Sequence, residues 1–221
     1  MLRLCQDLEC FTLFSKECVR IIIIMISIDG EMTGLDTQKC ALVSLGIIDL
    51  ENPERRLYVE MRPFEGAELQ EEGLAICGFT KESLDALPLS QSEGLLLIKN
   101  FLDESSERNV LGQNVAQDIN FINNAFVREG IDCKIPYRAL DLHSMVCAKL
   151  LLENKPIPTE ERKSTLNLDS LLQMAGIPDE PTPHNALTGA LSAAEVYFRL
   201  IKGRAVLPEF SQFTFSGDKK Q

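Results

Sequence analysis

A chain of 221 residues is long enough to bury one sizeable core, and nothing in its length demands a second domain. Hydrophobic residues make up 45% and charged residues 25%, a composition that excludes a disordered tail and a membrane-embedded chain. The net charge of -11 argues against coating nucleic acid by broad attraction, because that rests on Lys and Arg displacing counterions from phosphates. Carboxylates that bind divalent cations can still meet a phosphate through the metal, so the charge is compatible with local handling of a strand end.

In chain order, residues 1–20 carry Cys5, Cys10 and Cys18 and little periodicity, and read as an N-terminal extension to a domain that starts at the Ile-rich strand. The run Ile21-Ile22-Ile23-Ile24-Met25-Ile26 is far shorter than the roughly 20 residues of a spanning helix, and acidic residues flank it. It reads as a buried strand over Ile21 to Ile28, with no secretory signal before it. Two further β-like runs, Cys40 to Leu50 and Arg55 to Pro63, are separated by the turn-rich Glu51-Asn52-Pro53-Glu54, which predicts an antiparallel meander.

Thr80-Lys81-Glu82 has the pattern of a helix start, and Ser90 to Asp103 that of an amphipathic helix with Leu95, Leu96, Ile98 and Leu102 as its apolar stripe. A short strand at Asn109-Val110-Leu111-Gly112 then leads into a helix through Asp118 to Val127. Tyr137 to Leu142 is predicted as another strand, followed by helices at about 143–153, 167–175 and 184–202, with a charged, Pro-containing loop between the first two. A meander followed by alternating strand and helix implies an α/β fold with a mixed sheet. One folded domain is expected over 21–205, with 206–221 a loose tail. Seven cysteines, with no CxxC pair and no nearby His, indicate reduced thiols and a cytoplasmic location.

Three motifs carry candidate chemistry. Asp29-Gly30-Glu31-Met32-Thr33-Gly34-Leu35 closes the first strand; alternate residues of extended backbone share a side, so the Asp29 and Glu31 carboxylates point together and suit a hard metal ion. Read alone, the pattern is equally a polar strand end before a Gly turn. In Gly112-Gln113-Asn114-Val115-Ala116-Gln117-Asp118, Asp118 falls in a first helical turn, where it serves equally as a dipole-stabilised cap. His184-Asn185-Ala186-Leu187-Thr188-Gly189-Ala190 opens the last long helix, and its His is either a solvent-facing residue or a base with a pKa near working pH.

Together, in this order, DxExTGL, GxNVxxDxxF and HNALxxA resemble the three-part signature of the DEDDh exonuclease family, which includes proofreading subunits of bacterial DNA polymerases, ribonuclease T and oligoribonuclease. The likeness runs from about Ile21 to Leu200, and the motifs divide their allegiance between the branches. It implies a ribonuclease H-like fold with a five-stranded mixed sheet, and a two-ion Mg²⁺ or Mn²⁺ site. By the same resemblance, Asp29 is shared by both metals, Glu31 binds the first and Asp118 the second. His184 is the general base, while Gly30, Met32, Thr33 and Asn114 contact the substrate. The implied activity is hydrolysis of single-stranded DNA or RNA from the 3′ end to nucleoside 5′-monophosphates. The family's habits also admit a polymerase or other protein partner and a homodimer, and involve no membrane.

One position departs from the pattern: where the family has its fourth acid, five residues after the His, this chain has Gly189. The expected consequence is impaired hydrolysis, with a catalytically silent binding module as the rival reading. Glu195 is six positions on, about 600° round a helix and so on another face, and Asp179 and Glu180 lie in the preceding loop, so no substitute acid is apparent.

Overall fold

A computed structural model describes residues 25–106 and 108–215. The expected extension over 1–20 and the run Ile21–Ile24 lie outside the described residues. Five strands form one sheet in the order β3-β2-β1-β4-β5: β1 Ile26–Met32, β2 Leu42–Asp49, β3 Arg56–Glu60, β4 Val110–Gly112 and β5 Leu140–Asp141. The β1–β2 and β2–β3 pairs are antiparallel, the β1–β4 and β4–β5 pairs parallel, as the meander and the later strand–helix alternation require.

Period-two alternation in β1 divides its residues between two cores. Ile26 and Ile28 enter the core under α3 (Gln91–Glu104) and α4 (Ala116–Arg128), together with Leu45, Ile47, Leu95, Ile98, Ile122 and Phe126. The opposite face packs on α5 (Leu142–Leu152), α6 (Leu168–Met174) and α7 (Ala186–Val196) through Ile48, Leu111, Val146, Leu171, Ala190 and Phe198. Short helices α1 (Glu71–Cys77) and α2 (Lys81–Asp85) follow the meander and cover a smaller cluster of Ala41, Val43 and Leu84.

Helix α7 approaches the sheet closely because small residues line the contact. A Cβ on Gly46 would collide with the Ala186 carbonyl and lie 2.5 Å from Leu187 Cα. On the neighbouring strand, the buried Ser27 hydroxyl donates to the Ala190 carbonyl at 2.9 Å. Asp29 is the register partner of Gly46, so the same contact sets the start of α7 beside the functional end of β1.

Several local expectations shift. Within α3 the buried stripe runs through Leu95, Ile98, Phe101 and Leu102, while Leu96 is 46% exposed. The last helix starts two residues later than predicted, after the N-cap Asn185, and passes into a π-helical turn over Tyr197–Ile201. The strand predicted from Tyr137 shrinks to Leu140–Asp141, because Asp141 caps α5 by accepting from Ser144 N–H at 3.0 Å. Helix α1 escapes sequence reading because only Cys77 of it is buried, leaving no apolar period. In the charged loop, Thr159–Glu160 and Lys163–Ser164 pair as β6 and β7 around Glu161 and Arg162, both at positive φ.

Residues 206–215 are not a loose tail. Leu207 and Phe210 are buried in the α5–α7 core, and a buried polar network holds the backbone above them. Arg199 Nε donates to Glu195 Oε1 at 2.7 Å with both side chains at 0% exposure, and its Nη2 donates to the Phe210 carbonyl at 2.9 Å. Glu195 in turn accepts from Leu207 N–H at 2.9 Å. Removing one partner of such a pair strands the other charge in low dielectric. Glu195→Ala is therefore expected to cost about 3–5 kcal/mol in urea unfolding; a loss under about 1 kcal/mol would show that the C-terminal segment does not depend on this pair.

Candidate active site

The end of β1 outruns its parallel neighbour: β4 pairs only with Ile26 and Ser27, so the backbone from Asp29 onward lacks a strand on that side. Asp118, in the first turn of α4, fills part of the gap, its Oδ1 accepting from Gly30 N–H at 3.0 Å. The N-cap of α4 is Val115, without a side-chain cap, and the Asp118 bond instead ties the second motif to the first across 88 residues of sequence.

Asp29 and Glu31 share the α7 face of β1, as their spacing required, and Glu31 is only 8% exposed. Asp29, Glu31 and His184 line one cavity of about 250 Å³ together with Gly30, Gln113, Asn167, Leu168, Asp169 and Glu180. His184 sits one residue before the α7 cap, held there by its N–H donating to the Ile76 carbonyl of α1 at 3.1 Å. Sequence reading therefore located Asp29, Glu31, Asp118 and His184 in one region. It gave no role to Gln113 or Asp169, and it weighed Glu180 only as a residue of the preceding loop that offered no apparent substitute acid.

Gly189 faces Asp29 directly. A Cβ there would collide with Asp29 Oδ2 and lie 2.7 Å from its Cγ, so the Asp29 carboxylate occupies the notch that a side chain at 189 would fill. Glu195, weighed as a substitute from sequence, is committed to Arg199 on the other side of the helix.

A second cavity of about 220 Å³ shares Gly30 and Glu31 with the first and is walled by Met32, Gly34, Leu35, Gly73, Ile76 and Gln117. Thr33 contributes nothing to either cavity. Its hydroxyl donates to the Glu68 carbonyl and accepts from Ala41 N–H, its own N–H goes to the Ala41 carbonyl, and its carbonyl accepts from Gln70 N–H. Thr33 is thus a fully buried brace for the segment after β1. Asn114 is exposed, with φ of 51°, in the turn before α4, and it lines neither cavity.

The electrostatics of the first cavity are one-sided. None of Asp29, Glu31, Asp118, Asp169 or Glu180 forms an ion pair among the described residues. Burial, reinforced by the charges of Asp118, Glu31 and Glu180, holds Asp29 well above the usual carboxylate range. Burial likewise raises Glu31, Asp118 and Glu180 to about 7 each, with Glu31 adding to the last two. Glu180 Oε1 and Gln113 Oε1 are both buried without a hydrogen-bond partner. Buried anionic oxygens without partners are costly, and an oxygen-rich donor set of this kind fits a hard divalent cation. As the side chains stand, no three His, Cys, Asp or Glu residues among those described converge closely enough to hold a metal ion. With Asp29 folded into the Gly189 notch, loading requires side-chain movement.

A mixed sheet of this order with an acidic cleft at the end of its central strand defines a ribonuclease H-like exonuclease fold. A family model named RNase_T and described as Exonuclease matches residues 26–197, and the chain belongs to this family. No curated protein matches the sequence significantly. Among solved structures, E. coli exonuclease I in complex with a 5cy-dT13 oligonucleotide is 16% identical at a TM-score of 0.67, covering 80% of this chain and 41% of the other. A zinc-bound exonuclease I–ssDNA complex from E. coli (16%, TM-score 0.66, 80% and 41%) and exonuclease I from Methylocaldum szegediense (17%, 0.65, 81% and 41%) align similarly. The chain spans about two-fifths of those proteins' length. Among the described residues, no helix is long and apolar enough to cross a membrane.

The raised carboxylates make stability fall as pH rises. Below the ordinary carboxylate value folded and unfolded chains both hold these protons; between there and about 7 only the folded chain does, and above about 7 the full penalty stands. In chelator, the melting temperature is expected to drop more between about pH 5 and about pH 8 for the native chain than for Glu31→Gln. Equal drops would show that Glu31 does not titrate in this window.

Proposed function

We propose that this protein is a metal-dependent 3′-to-5′ exonuclease acting on single-stranded ends, with its hydrolytic rate held down by Gly189. The observation that carries the reading is that Asp29, Glu31 and His184, from two separated motifs, line one cleft with two buried oxygens unpaired among the described residues, while Asp118 of the third motif bonds Gly30 N–H at its edge. Asp29, Glu31 and Asp118 hold Mg²⁺ or Mn²⁺ there, and His184 takes the proton from the attacking water. Divalent cations, when bound, supply stabilisation of charge on the attacking and leaving oxygens of the phosphodiester. The adjoining cavity, with Met32, Leu35 and Ile76 as apolar wall, takes the terminal nucleoside, so each cycle releases a nucleoside 5′-monophosphate.

Single-stranded DNA is the first substrate to test, because solved structures of similar fold carry it. The acidic surface favours engagement of a strand end over wrapping of its backbone. We assign the activity to the domain over 21–205, to which residues 1–20 are an extension. A cytoplasmic location and a polymerase or other protein partner fit the same reading.

Gly189 acts on the rate through Asp29. With no side chain at 189 the Asp29 carboxylate rests against helix α7, and a cation that would draw it out meets one anionic ligand fewer. Retraction of Asp29 also favours a second reading, a silent module that binds strand ends without cutting them.

Turnover of a labelled single-stranded oligonucleotide by the native chain and by Gly189→Asp, with Mn²⁺ and with folding checked by circular dichroism, separates these readings. Release of mononucleotides by the native chain, faster in the variant by about 10- to 100-fold, is expected, since misplacement at a reacting centre costs rate on this scale. Equal turnover would remove position 189 from the reacting centre, and strand binding without release by either protein would select the silent module.

A further inference from the structure

We propose that Glu180 supplies the fourth carboxylate of this site, reaching the bound cation from the loop ahead of His184 in place of the acid that position 189 lacks. The inference rests on the metal-dependent reading above and assigns one more ligand to it.

The loop between α6 and α7 is tied down on both sides of Glu180. Glu180 N–H donates to Asp169 Oδ1 at 3.2 Å, Gln173 Nε2 donates to Asp179 Oδ1 at 2.7 Å, and His184 N–H donates to the Ile76 carbonyl at 3.1 Å. Backbone position 180 is therefore set by hydrogen bonds between its loop and α6, and the following His segment is held separately by α1. From there the side chain enters the cavity lined by Asp29, Glu31 and His184. Its neighbour Asp179 is exposed and committed to Gln173, so the two acids of this loop are not interchangeable.

Glu180 Oε1 is buried and accepts no hydrogen bond among the described residues, and Gln113 Oε1, in the wall of the same cavity, is in the same condition. A buried carboxylate oxygen sharing a cavity with Glu31 and Asp169 without a cation is unfavourable by solvation and by Coulomb repulsion alike, and a divalent ion would relieve both.

Steric constraints separate this arrangement from one with an acid on the helix. Gly189 has no side chain to offer and Asp29 rests against it, so a fourth carboxylate in this chain comes from another element. Glu, one methylene longer than Asp, suits a reach from a loop. Such a ligand keeps the ion bound without restoring the placement that a helix-borne acid gives, which leaves affinity and rate as separable properties.

Titration calorimetry of the full chain with Mn²⁺, in the absence of substrate, tests the assignment. Glu180→Gln is expected to weaken Mn²⁺ binding by about 10-fold or more, the scale on which loss of a metal-site partner is felt. Glu180→Asp, which withdraws the charge by one methylene, is expected to weaken it as well, and Asp179→Asn to leave it unchanged. Native-like affinity in both Glu180 variants, with binding lost in Asp29→Asn, overturns the assignment while keeping the metal site. Absence of Mn²⁺ binding by the native chain overturns the metal-dependent reading itself. Circular dichroism of each variant confirms that the affinities belong to folded protein.

Discussion

Close approach of helix α7 to strands β1 and β2 is the contact on which the rest of the molecule depends. It is possible only because Gly46 presents no side chain to the Ala186 carbonyl and because Ser27 donates its hydroxyl to the Ala190 carbonyl, which satisfies that group inside the interface. Through this contact the segment carrying His184 comes to rest beside Asp29 and Glu31. The same proximity makes position 189 sterically decisive, since whatever it carries competes with Asp29 for one small volume.

Around that contact the fold concentrates negative charge at a place where the sheet is incomplete. The parallel partner β4 stops at Gly112, opposite the middle of β1, and α4 then brings Asp118 to bond Gly30 N–H. Backbone that would otherwise be paired in the ladder is held by a carboxylate instead, which joins structural and chemical roles in one residue. Asp29, Glu31 and Glu180 share the region without a cationic partner among the described residues, so the folded chain carries an electrostatic cost that a bound cation would relieve. On the far side of α7, the buried charge of Glu195 is matched by Arg199 and by backbone N–H groups, and it anchors the chain through Phe210. The acid on α7 that is compensated thus organises structure, whereas Glu180 ahead of it has no ion pair among the described residues.

The sequence by itself determined the meander and the alternation of strand and helix after it, the sharing of one face by Asp29 and Glu31, and the spacing of the three motifs, because alternation and local turn signals are properties of neighbouring residues. Tertiary structure alone decided that Glu180 enters the cleft, since that depends on loop bonds to Asp169 and Ile76 that no periodicity encodes. It likewise assigned Thr33 to bracing rather than to a pocket, turned Leu207 and Phe210 from tail into core, and left helix α1 visible only by its docking. Gly189 could be read from the sequence, but the occupation of the space beside it by Asp29 could not. Which atoms fill a vacated volume is settled by how closely two distant segments pack, and here that distance is set by Gly46, more than a hundred residues earlier in the chain.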